Sequence, residues 1–175
     1  MIGTHVSDID GELAEFFNHH HDKLLVTANK KGEPNIALMG TPRLQPDGTI
    51  KFDISDRISV TLNNIRENDS VLFLAYVPGP RARDYSGARV YAKVTEISSS
   101  GEEFEAVKKA IRNKHGNAQA DKLEATVTCT IMKVRPVVDR GQQWNEKPFV
   151  DGEQNDAAQE NVTAQPPDFS GIVFG

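Results

Sequence analysis

Apolar and polar positions change period several times along this chain, and each change marks an element. Residues 8–21 place Ile9, Leu13, Phe16, Phe17 and His20 at near-helical spacing, with Ser7 and Asp10 as a weak capping pair ahead of them. Leu24–Ala28 is a compact β run. A Lys31-Gly32 turn and Pro34 then lead into a second extended segment, Asn35–Met39, so the two read as a hairpin. Gly40, Thr41 and Pro42 bend or end that strand. After the Pro46-Asp47-Gly48 turn, residues 49–54 alternate with Ile50, Phe52 and Ile54 on one face.

Residues 55–68 return to helical spacing through Ile58, Leu62 and Ile65, with Ser59 or Ser55 as the cap. Val71–Val77 is an apolar strand, 78–86 a loop rich in Gly, Pro and Arg, and Ala88–Ile97 a long alternating strand. Residues 101–115 form a second amphipathic helix through Phe104, Val107 and Ile111, with Ser100 and Glu103 as a capping box and Gly116 at the stop. Leu123–Val134, rich in Thr and Val, is the last strand. Six strands joined mainly as hairpins predict a mainly β fold with flanking helices, an antiparallel barrel rather than a parallel sheet. So small a barrel buries little per chain, and pairing with a second copy would add core. The expected organisation is a domain over 1–140 and a tail over 141–175. The tail is polar and aperiodic from 151 until the apolar run Phe169–Phe174, which is able to dock on the body of either copy.

Charge and composition narrow the function. The net charge is −5 with a pI of about 5.5, which lowers the rank of nucleic-acid binding. No apolar run is long enough for a membrane helix, the first residues do not read as a secretory signal, and Cys129 is the single cysteine. A cytoplasmic protein without disulfides is expected. Cys129 lies in an alternating apolar segment and reads as a small buried side chain rather than a reactive thiol.

Three features in order resemble the pyridoxamine 5'-phosphate oxidase-like, FMN-binding split-barrel family: LLVTANKKGEPNIALMG, DGTIKFDIS and SVTLNNIRENDSVLFLAY, followed by GARVYAKVTEI and its helix. The resemblance implies a six-stranded split barrel that dimerises, with FMN held where the two subunits meet. It also implies contacts to the flavin from Met39, Gly40 and Thr41 on the second strand and from Ile54 and Ser55 at the end of the third. Ser59, Val60, Thr61 and Asn64 follow on the next helix. The chemistry agrees, because a phosphate monoester needs amides, hydroxyls and a cation, and a helix start with nearby Ser55, Ser59, Thr61 and Arg57 offers all three.

The chain departs from the family where Val60 and Ala37 stand in place of basic residues. Phosphate charge is then left to Arg57, Arg43 or an arginine from 81–89 of either subunit. The substrate segment of the true oxidase is not evident, so pyridoxamine phosphate itself is not the expected substrate. The function implied is flavin-dependent oxidoreduction of a small molecule, with NAD(P)H as a possible donor. The alternative is a non-catalytic flavin, haem or electron-transfer protein.

Other constellations have plainer readings. His19, His20 and His21 point about 100° apart on a helix and suit a solvated helix end better than one metal ion, with haem kept as an alternative cofactor. Arg81, Arg83, Arg89 and Tyr85 could take an anion, although ordinary ion pairs explain them better. Trp144 is expected to pack on its own barrel rather than on a flavin.

Overall fold

The structure is a computed structural model that describes residues 11–55, 58–139, 141 and 143–145. Its elements in chain order begin with α1 (Gly11–His19), β1 (Lys23–Ala28), β2 (Pro34–Met39), β3 (Arg43–Leu44), β4 (Thr49–Ile54) and α2 (Val60–Glu67). They continue with β5 (Ser70–Val77), β6 (Ser86–Ser98), α3 (Glu102–His115), α4 (Asn117–Ala120) and β7 (Ala125–Pro136). The strands form one antiparallel sheet in the order β2-β1-β5-β6-β7-β4-β3, curled into a half-barrel with helices at its flanks.

Among the described residues the count is seven strands, one more than expected. Gly40, Thr41 and Pro42 end β2, and the chain resumes for two residues as β3, where Arg43 opposes Lys51 and Leu44 opposes Ile50. The second strand therefore does not simply bend; it hands the chain across to the opposite edge of the sheet. The four-residue α4 was not anticipated, since its Asn117–Ala120 span is too short to show a period. The proposed Ser7–Asp10 cap lies outside the described residues.

Strand alternation builds the core. Leu25, Ile50, Phe52, Phe73, Val90, Val127, Cys129 and Ile131 turn inward, and Leu13 and Phe17 of α1 with Leu62 and Ile65 of α2 join them. Phe73 sits at the centre, edge-on to Phe17 at 5.8 Å and to Phe52 at 5.7 Å between ring centroids. The hairpin between β5 and β6 depends on Gly87, whose φ of +135° and whose missing Cβ would lie 2.3 Å from the Ala75 carbonyl oxygen. No described helix is long and apolar enough to cross a membrane.

The helix ends follow expectation in two places and depart from it in one. Ser59 caps α2, its Oγ accepting from the Leu62 amide at 3.2 Å, and Gly116 ends α3 with a positive φ. The Ser100–Glu103 box is not formed. Gly101, with φ +99°, occupies the cap position without a side-chain bond, and the Ser98 hydroxyl donates to the Ser100 carbonyl instead. Glu102, Glu103 and Glu105 supply negative charge to the first turn, and Glu103 also pairs with Lys51 of β4, which fastens α3 over that strand.

One buried cation yields a pH prediction. Lys23 is fully buried on β1, with Nζ 4.8 Å from the Phe17 ring centroid and donating to the His20 carbonyl just past α1. Burial, then repulsion from Arg43, lowers its pKa to about 8, against a small opposing pull from Asp22. Between about 8 and the ordinary 10.5, the unfolded chain holds more protons than the folded one. Stability from urea midpoints is therefore expected to rise with pH across that window. Lys23→Met should flatten the rise; an unchanged slope would assign it to other groups.

Candidate functional site

The chain break after β2 creates a corner that is stitched to β4. The Asp53 amide donates to Thr41 Oγ1 at 3.2 Å, and that hydroxyl lies 3.3 Å from the Asp53 carbonyl oxygen. Arg43 donates from Nη1 to the carbonyls of Gly40 and Pro42, both at 2.9 Å, so that nitrogen of the guanidinium is tied to its own corner. A Cβ at Gly40 would meet the His21 carbonyl at 3.4 Å, which keeps the corner tight against the end of α1.

Beside that corner lies an open pocket of about 460 Å³ between β4 and α3. Thr41, Asp53 and Ser55 line the strand side; Val107, Ile111, Lys114 and His115 are among those lining the helix side. The Asp53 pKa is raised, first by burial and then by the nearby Glu103 carboxylate. The pocket exists because Asp53 alternates with buried Phe52 and Ile54 and so points away from the core, where α3 covers it.

A second group of residues gathers on α2. Thr61 and Asn64 are buried against the first hairpin: Asn35 Nδ2 lies 3.4 Å from Thr61 Oγ1, and Asn64 Nδ2 donates to Thr27 Oγ1 at 3.1 Å. The amides of Val60 and Thr61 belong to a first turn with no intrahelical acceptors and no acidic residue. Asn64→Ala is expected to cost about 1–3 kcal/mol in chemical unfolding, because it strands the Thr27 hydroxyl. Adding Thr27→Val should then cost less than it does alone; full additivity would mean the bond carries no coupling.

The residues singled out from sequence thus fall into separate places. Thr41 and Ser55 meet in the pocket. Met39 is half-buried at the end of β2 opposite Lys23, and Gly40 forms the corner. Ile54 turns its side chain into the core, and its carbonyl accepts from the Glu124 amide at 2.8 Å. Ser59, Thr61 and Asn64 share α2 with Val60, which is exposed. Arg57 lies outside the described residues. Asp53, Lys114 and His115 were missed. Asp53 reads as an ordinary outward position of an alternating strand, and Val107 and Ile111 read as a core-facing stripe; only tertiary contact joins them.

The remaining constellations take their plainer readings. Arg81 bonds Asp84 at 2.9 Å and Arg83 lies 3.9 Å from the same carboxylate, whose pKa the Arg81 bond lowers. Arg89 donates to the Pro136 carbonyl at 2.8 Å and to Asp139 at 2.6 Å, holding Asp139 below the usual carboxylate range. Trp144 packs on Phe16 with ring centroids 5.5 Å apart. Burial pushes the Cys129 thiol up to about 12, so it is not a thiolate at neutral pH. No group of three metal-ligating side chains occurs among the described residues. His19, His20 and His21 do line a common pocket of about 450 Å³ with Tyr76 and Tyr85, which stack at 5.5 Å.

Against known proteins, the fold has clear counterparts. An FMN-binding protein from Syntrophomonas wolfei superposes with a TM-score of 0.60 at 23% identity, covering 73% of this chain and 84% of that one. HupZ of Group A Streptococcus gives 0.59 at 21% identity, covering 81% and 99%. HutZ, the haem storage protein from Vibrio cholerae, gives 0.52 at 15% identity, covering 71% and 89%. No curated protein matches the chain in sequence. At these identities the superpositions establish the fold alone. The pyridoxamine 5'-phosphate oxidase family model, however, matches residues 9–138, and the chain belongs to that family.

Proposed function

We propose that the chain binds FMN at the interface of a homodimer and serves flavin-dependent oxidoreduction of a small molecule. The observation that carries this reading is the start of α2, packed on β1 and β2, where several donors have no acceptor among the described residues. Ser59 Oγ accepts from Leu62 and keeps its own proton to donate, and the Thr61 hydroxyl, beside Asn35, does the same. With the first-turn amides of Val60 and Thr61, these groups fit a phosphate, and the helix dipole favours its charge. The residues present therefore suit a phosphorylated flavin even with Arg43 Nη1 bonded to its own corner. Bound FMN would supply hydride or electron transfer at its ring system. The protein's part is to hold the phosphate on α2, to border the ring with the Gly40–Thr41 corner and Ser55, and to exclude water through the second subunit.

Dimerisation is supported by the outer face of the sheet. Ile36 and Leu38 of β2 are 63% and 67% exposed, although both are aliphatic. The family match supports the flavin; an electron donor such as NAD(P)H follows from the chemistry proposed.

Titration of the full-length chain tests this directly. FMN is expected to bind at least about tenfold more tightly than riboflavin, and Thr61→Val to remove about that factor for FMN alone. Equal affinity for the two flavins would mean that no phosphate is gripped at α2.

A second reading, haem binding without catalysis, is favoured by the pocket that His19, His20 and His21 share. A Soret band on adding haemin, lost when all three histidines are replaced by alanine, would support it over the flavin.

A further inference from the structure

The pocket between β4 and α3 contains a carboxylate, that of Asp53, with no counterpart among the described residues. Among the described residues nothing donates a hydrogen bond to the Asp53 side chain; its bonded contacts with Thr41 run through its backbone. Its charged neighbours do not help it. Glu103 repels it, and Lys51, the cation two residues before it on the strand, is paired with Glu103. Lys114 and His115 stand on the opposite, helix side and are exposed to water. A carboxylate held partly out of water without a donor is an unfavourable arrangement for a merely structural residue. Val107, Ala110 and Ile111 make an apolar stripe on that helix side, beside Lys114, His115 and Gln119.

From this geometry we infer that the pocket binds a planar nitrogen cation of the amidinium or guanidinium type that carries an apolar group. Among the described residues neither Asp53 oxygen has a donor, and a planar two-pronged donor satisfies both at once, where an ammonium would meet them one at a time. The apolar substituent then lies between the sheet and the Val107–Ile111 stripe of α3. An anion is the wrong ligand for the floor of this pocket. The cations that would attract it sit on the solvated rim, where pairing contributes little. The pocket shares Thr41 and Ser55 with the proposed border of the flavin ring, but its lining residues belong to one chain, so cation binding can be read without flavin.

Benzamidine, its neutral isostere benzamide and benzoate serve as probes on the full-length chain, with binding followed through backbone amide NMR signals. Benzamidine is expected to shift Thr41, Asp53 and Ile111 and to bind at least about tenfold more tightly than benzamide, with benzoate weakest. Asp53→Asn should erase the preference for benzamidine and leave benzamide binding as it was. The inference is overturned if benzoate binds best, if Asp53→Asn keeps the preference, or if no probe shifts those signals. These signals are read without flavin, so a chain that binds benzamidine but no FMN retains this inference and loses the other.

Discussion

Replacing Ile36 and Leu38 together by glutamate is expected to yield a folded monomer that no longer retains flavin. The two side chains form the edge row of an aliphatic surface shared by three strands. Leu38 lies opposite Leu24, which lies opposite Leu74, and Ile36 lies opposite Val26, which lies opposite Leu72. Alternation puts all six on the outer face while Leu25 and Phe73 fill the core. A contiguous apolar face of this kind is rare on a monomer. A twofold axis would place it against itself, so each substitution introduces two carboxylates into one seam. Burying them unpaired costs several kcal/mol per ion, more than enough to separate a dimer of ordinary affinity. Because both positions are exposed within one chain, urea stability at low protein concentration should hardly move. Sedimentation that still shows a dimer would remove this face from the interface.

Phe73→Ala is the substitution expected to harm folding most, by about 3–5 kcal/mol in chemical denaturation. The ring is fully buried and touches both Phe17 of α1 and Phe52 of β4, so it bridges a helix and two strands that are not sheet neighbours. Its loss leaves a cavity that those rings cannot close without moving α1. That figure is a large share of a typical domain's stability, so the variant should be marginal at room temperature. Phe73→Leu fills most of the space and should recover roughly half the loss. A loss below about 1 kcal/mol for the alanine variant would place the centre of the core elsewhere.

The two predictions draw on different kinds of legibility. The strands, their alternation and the core were visible because burial on one face of a sheet imposes a period of two, and residues such as Ile50, Phe52 and Ile54 keep it without interruption. The crossing from β2 to β3 was marked by Gly40 and Pro42, yet a two-residue strand has no period to read. The Ser100–Glu103 box failed because Gly101 adopted a positive φ that no pattern of side chains announces. The candidate site was less legible still. Thr41 and Ser55 could be placed beside each other through family resemblance, but Asp53 gained its meaning only from α3, some fifty residues away in sequence, folding over β4. Arg43 shows the reverse case: a plausible phosphate ligand by composition, it turns Nη1 to the carbonyls of its own corner.

The central claim is that one FMN is held per chain where two chains meet. Sedimentation equilibrium of the full-length protein incubated with FMN, recorded at the flavin absorbance, tests it most directly. The account predicts that the yellow species carries twice the 19.3 kDa chain mass with one flavin per chain. Flavin travelling with a single chain, or protein sedimenting without colour, would contradict it.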